Sequence, residues 1–174
     1  MKKLVALTLL LCAYPLVAEI ARADALSLQV TIIRGERSKD SNAATTVITI
    51  NGATLVYRKT YSGRLRGRMP EETKEFKLKA EDQRKLIKLI HDRNLLRTES
   101  IEREQTFSGM YLYFELSVEA ALNQSKGSVH LKGSRKATDL KEEKLYKDAV
   151  ALIEEIYAII HRTDEAIVYE PLIR

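Results

Sequence analysis

The chain has 174 residues, with 29 Lys+Arg against 24 Asp+Glu, one Cys, no Trp and 45% apolar residues. Apolar content at this level offsets chain entropy and excludes wholesale disorder. The length suits one domain, and no Pro-, Gly- or Ser-rich linker marks a second.

Residues 1–23 read as a secretory signal peptide: Lys2 and Lys3, an apolar stretch from Leu4 to about Ala18, then Ala21-Arg22-Ala23 before Asp24. Cleavage after Ala23 leaves small residues at both positions a signal peptidase inspects. The stretch falls short of the ~20 apolar residues of a spanning helix and contains Pro15, which argues against a retained anchor. Leu11 stands before Cys12, where lipidation calls for a small residue. The expected mature chain, 24–174, is a single periplasmic or secreted domain with 26 basic and 23 acidic side chains. Losing Cys12 with the leader removes disulfides, Cys-bound metals and a Cys nucleophile, so stability must come from core packing.

Leu26, Leu28, Val30 and Ile32 alternate and predict a half-buried strand, followed by a polar loop from Gly35 to Ala44. Thr46–Ile50 and Ala53–Tyr57 flank Asn51-Gly52, a two-residue turn signal that pairs Ile50 with Ala53, Ile48 with Leu55 and Thr46 with Tyr57. Residues 58–75 read as a polar connection before a short strand, Phe76–Leu78. Leu86, Ile87, Leu89 and Ile90 then recur at helical spacing within Ala80–Asn94, with Asn94 as the stop.

After a polar connection, 97–109, a long alternating strand covers Met110–Leu122. A four-residue turn at Asn123–Lys126 would return Ser128–Lys132 with Val118 against Leu131 and Glu119 against His130. Asp139 and Glu142 form a capping box for one helix running to about His161, whose stripe is Leu145, Ala149, Leu152, Ile153, Ile156 and Ile160. The tail Ala166–Leu172 either adds a short strand or docks. The expected fold is α+β: a mainly antiparallel sheet of about five to six strands, in the order β-β-β-β-α-β-β-α, with two helices on one face.

Three features are candidates for function. Arg58, Lys59, Arg64, Arg66 and Arg68, with Tyr61 among them, form a cationic cluster that could grip an anionic polymer or lipid or simply guard a sheet edge. The acidic residues Glu99, Glu102 and Glu104 could face that cluster. Tyr111 and Tyr113 occupy the polar face of their strand, where tyrosine suits a sugar ring or a protein partner. Third, His91, His130 and His161 lack metal-ligand spacing, and helix ends or a cross-strand partner account for them.

Glu115 and Glu119 lie about 13 Å apart along one strand face, too far for a glycosidase pair. No nucleophile elbow or phosphate-cradling Gly loop is present; Lys126-Gly127-Ser128 and Lys132-Gly133-Ser134 read as turns. The sequence therefore calls for no cofactor or metal and favours a non-catalytic binding module. Its expected partner is an envelope protein or an anionic envelope polymer or lipid, and not nucleic acid. The alternatives are an envelope-polymer hydrolase gathering His91, His130, Glu115, Glu119 and Asp92 in one cavity, and a structural subunit with a contiguous apolar patch. The hairpin-and-helix pattern is common among exported domains, and a fold by itself conveys no function.

Overall fold

Alternation along the first strand puts Leu26, Leu28, Val30 and Ile32 on one face, where all four are buried. The computed structural model describes residues 26–37, 42–103 and 111–173, so the expected signal peptide lies outside the described residues. Seven strands occur in chain order: β1 (Leu26–Arg37), β2 (Asn42–Asn51), β3 (Thr54–Tyr61), β4 (Glu72–Lys77), β5 (Thr98–Arg103), β6 (Tyr111–Leu122) and β7 (Ser125–Ser134). Helix α1 (Ala80–Asp92) follows β4, and α2 (Thr138–Glu142) and α3 (Lys144–His161) follow β7.

The strands form one sheet in the order β4-β3-β2-β1-β6-β7-β5. All neighbours are antiparallel except β5 and β7. The α+β expectation therefore stands, while about five to six strands and two helices become seven and three. The additional strand is β5, inside the stretch expected to be a polar connection. Strand formation also extends into the expected loops at Gly35–Arg37, Asn42–Ala44 and Arg58–Tyr61.

Both hairpins differ from expectation by two residues in register. Asn51 pairs with Thr54 and Ile48 with Tyr57, so the β2–β3 turn is Gly52-Ala53. Only Gly52 there has a positive φ, +56°, which fits a turn with glycine at its first central position. In the second hairpin Leu122 pairs with Ser125, Val118 with Val129 and Glu119 with Ser128, and Asn123 supplies the positive φ of 55°. A slip of two preserves side-chain parity, so every expected core residue still faces the core.

That core lies between the inner sheet face and the helices. It joins Ile48, Ile50, Leu55, Leu116, Val118, Val129 and Leu131 to Leu86 and Ile90 of α1 and to the whole expected α3 stripe. Helix α1 ends as expected: Asn94 has φ 52°, and the Leu95 N–H donates to the Ile90 carbonyl at 2.9 Å.

The single long C-terminal helix is instead broken. Glu143 is extended (φ −62°, ψ 129°), and no side chain caps α2 or α3. Two outward ties hold the break. Glu143 accepts from Arg103 of β5 at 2.9 Å, and Glu142 pairs with Lys147 at 2.8 Å instead of closing a capping box. The tail after α3 docks without forming a strand, with Ile167, Leu172 and Ile173 buried.

One buried carboxylate ties the layers together. Asp148, 1% exposed on α3, accepts from Lys144 one turn earlier and from Arg93 at 3.2 Å, with Arg97 at 3.9 Å. Replacing Asp148→Asn keeps the shape and removes the charge all three cations share. It is expected to lower unfolding free energy by about 2–3 kcal/mol in urea titration; a loss below 0.5 kcal/mol would show the cations to be solvated independently.

Candidate functional site

The β1–β2 connection, the β3–β4 connection, the start of β6 and the end of β7 all emerge at one end of the sheet, as the pairings Glu36↔Asn42, Ala44↔Tyr61 and Tyr113↔Ser134 require. The cationic cluster is at this end. Arg58 is exposed on the outer face of β3, opposite Val47 and Thr73. Lys59 faces the other side, with its ammonium 5.7 Å from the Tyr61 ring centroid.

The loop beyond β3 is folded tightly. Gly63–Leu65 forms a 3-10 turn, and Gly63 and Gly67 hold positive φ of 62° and 74°. The Met69 N–H reaches the Leu65 carbonyl at 3.1 Å. Two hydrogen bonds pin the loop to β2: Ser62 N–H to the Ala43 carbonyl, 2.9 Å, and Arg64 N–H to Asn42 Oδ1, 2.7 Å. Arg64, Arg66 and Arg68 are all exposed.

At the same end the Arg135 N–H donates to the Leu112 carbonyl at 3.0 Å, which brings Arg135 and the exposed Lys136 beside β6. Among the described residues, Arg66, Arg68 and Lys136 have no ion-pair partner. Lys132, by contrast, stands 3.7 Å from Glu115. Lys74 joins Glu72 at 2.7 Å and also binds Asp164. The acidic segment does not face the cluster, because β5 is the far edge strand of the sheet from β3 and β4. Glu99 pairs there with Arg97 at 2.9 Å, and Glu104 lies outside the described residues.

Of the two outer-face tyrosines, Tyr113 packs over Gly35, where an added Cβ would come within 2.5 Å of its ring. Gly35 thus gives the ring a seat on β1, and Tyr113 is half-buried. Tyr111 opposes Arg37 at the start of β6, and its side chain lies outside the described residues.

The catalytic candidates do not converge. His91 and Asp92 are exposed at the end of α1, in the helical layer. His130 is on the outer sheet face, on the other side of the sheet from those two residues. The corrected register sets His130 opposite Ser117, whose Oγ is 2.9 Å from Nδ1, with Glu102 of β5 3.9 Å from Nε2. These are the residue types of a hydrolytic triad. They stand side by side on adjacent strands, however, and β6 and β7, which carry Ser117 and His130, each have a neighbour on both sides, so the N–H groups beside these two residues are committed to the ladder and not available as an oxyanion hole. A shallow depression of about 530 Å³ on the outer face includes Glu119, Gln29 and Lys126 but neither His130 nor Glu115.

Among the described residues no group of three acidic, His or Cys side chains is placed to hold a metal, and no helix is long and apolar enough to cross a membrane. Among the described residues, the exposed large apolar side chains are Met69, Leu112 and Val168. Leu112 and Lys136 share this end of the sheet with the cluster through strand order and register, which no local sequence pattern signals. No protein-family model matches the chain, and no curated protein matches it.

Proposed function

We propose that the exported domain is a non-catalytic binding module that holds an anionic envelope component, lipid headgroup or polymer, at the Arg-rich end of its sheet. The observation that carries this reading is the presentation of Arg66 and Arg68, exposed and without a described acidic partner, on a turn fixed to β2 by two hydrogen bonds. A loop ordered in advance loses little conformational entropy when it binds, which favours affinity from few contacts. The export signal expected at residues 1–23 would bring the domain to anionic lipid and lipopolysaccharide.

Each cation near an anionic surface is worth about 1 kcal/mol. Replacing Arg64, Arg66 and Arg68 together by Ser is therefore expected to weaken binding to phosphatidylglycerol vesicles or lipopolysaccharide about 100-fold. Wild-type binding should also fall steeply with added salt. Undiminished binding by a folded triple variant would refute the assignment of this loop.

A further inference from the structure

The apolar side chains exposed at this end carry the assignment further. Met69 follows Arg68 in the pinned loop and is 45% exposed, and Leu112 at the start of β6 is 46% exposed. These are two of the three large apolar side chains exposed among the described residues. Each has exposed cations near it in the chain or across the sheet: Arg66 and Arg68 precede Met69, and the backbone hydrogen bond from Arg135 N–H to the Leu112 carbonyl brings the exposed Lys136 beside β6, while the Arg135 guanidinium reaches the Pro171 carbonyl at 3.5 Å. Strands β6, β1, β2 and β3 are successive neighbours, so three inter-strand spacings, about 14 Å, separate β6, which carries Leu112, from β3, after which the Met69 loop begins. Among the described residues, Glu36, opposite Leu112, and Glu71, two residues after Met69, are acidic neighbours of the two tips, while Arg66, Arg68 and Lys136 have no ion-pair partner.

We infer that the anionic partner is a bilayer surface, on which this end docks with Met69 and Leu112 entering the interface between headgroups and acyl chains. The inference rests on the proposed anion-binding role of the same end. Apolar tips surrounded by cations suit a lipid surface, where charge attracts and apolar area anchors. A soluble polyanion offers nothing for the apolar tips to enter, so apolar exposure at this position discriminates between the two partners.

The absence of Trp makes the test direct. Single Met69→Trp, Leu112→Trp and Val168→Trp variants of the mature chain would each carry one reporter. Val168, 65% exposed, is the control, because it borders a groove against α3 on the helix side. With phosphatidylcholine–phosphatidylglycerol vesicles, Trp emission should shift to the blue and be quenched by brominated acyl chains at positions 69 and 112, and remain unchanged at 168. A Met69→Ser/Leu112→Ser variant should lose about tenfold in vesicle partitioning while binding polyphosphate as wild type does.

Unshifted emission at both 69 and 112, with vesicle binding still abolished by the triple Arg variant, would overturn the insertion and leave the anion-binding reading standing. Binding to polyphosphate without binding to vesicles would overturn it in favour of a polymer. Triple Arg variants that bind every anionic probe as wild type does would remove both readings.

Discussion

Gly127→Ala is expected to be among the most damaging single substitutions in the sheet, costing about 2–4 kcal/mol in unfolding free energy. Gly127 is not the turn residue its Lys-Gly-Ser context suggests. It lies within β7, opposite Ala120, and is buried on the core face. The chain entering β5 crosses directly above it: an added Cβ would stand 2.4 Å from the Leu96 carbonyl carbon, 2.5 Å from Leu96 Cα and 2.6 Å from Arg97 N.

Backbone is what the methyl would strike, and that backbone is held on both sides. Leu95 is fully buried, Arg97 pairs with Glu99, and the Ser128 N–H donates to the Arg97 carbonyl at 2.9 Å. Relieving the contact would pull β5 from its parallel seat on β7. Gly52→Ala is the informative contrast. Nothing lies within 4 Å of its added Cβ, but its φ of +56° confines the cost to backbone strain of about 1–2 kcal/mol. Urea titrations of the two variants would rank them, and equal losses would contradict the proposed backbone collision.

The crossing at Gly127 also shows where sequence stops being informative. Alternation in β1 and β6 and the helical stripe of α3 identified the core because burial on one side writes a period into the residues. Strand β5, Thr-Glu-Ser-Ile-Glu-Arg, has one apolar residue and sits at the sheet edge, so it carries almost no such period. Its strand state comes from pairing with β7, a long-range fact.

The two hairpin registers depart from expectation by two in opposite directions, and for the first hairpin the reason is local. Asn51-Gly52 and Gly52-Ala53 are both admissible turns, and the choice between them falls to the strands that must pair. The break at Glu143 has no Pro or Gly to announce it; its ties reach Arg103, forty residues away in sequence. For the candidate site, the cations of the 58–68 segment were legible as composition. Their place at the same end of the sheet as Leu112, Arg135 and Lys136 follows from strand order and register, which no local pattern encodes.

Alkaline pH should unfold this protein steeply, because four tyrosines in the helical half of the molecule are held in their neutral form by burial. Tyr57 is 4% exposed and meets Tyr157 edge-on at 6.4 Å; Tyr169 packs against Tyr157 at 5.3 Å, and Tyr146 meets Phe114 at 6.3 Å. Burial pushes the Tyr57 hydroxyl from 10.0 up to about 12, assisted by the neighbouring Tyr157. Burial raises Tyr146, Tyr157 and Tyr169 in the same direction, although Arg34, which donates to the Glu170 carbonyl and lies 6.0 Å from the Tyr169 ring centroid, pulls each of those three back somewhat.

A folded-state pKa above the unfolded value means that the folded chain retains the proton longer. The stabilisation is therefore complete below about pH 10 and is lost as pH rises toward 12 and beyond. For Tyr57 alone the raised value corresponds to about 3 kcal/mol at the alkaline limit. Since the chain has no Trp, tyrosinate absorbance can be followed without indole overlap. Ionisation of these four rings should coincide with loss of far-ultraviolet circular dichroism, and Tyr57→Phe should make the stability loss above pH 10 shallower. Full tyrosinate absorbance at pH 10–11 with secondary structure intact would show that the rings reach solvent without unfolding, and would remove burial as the source of alkaline instability.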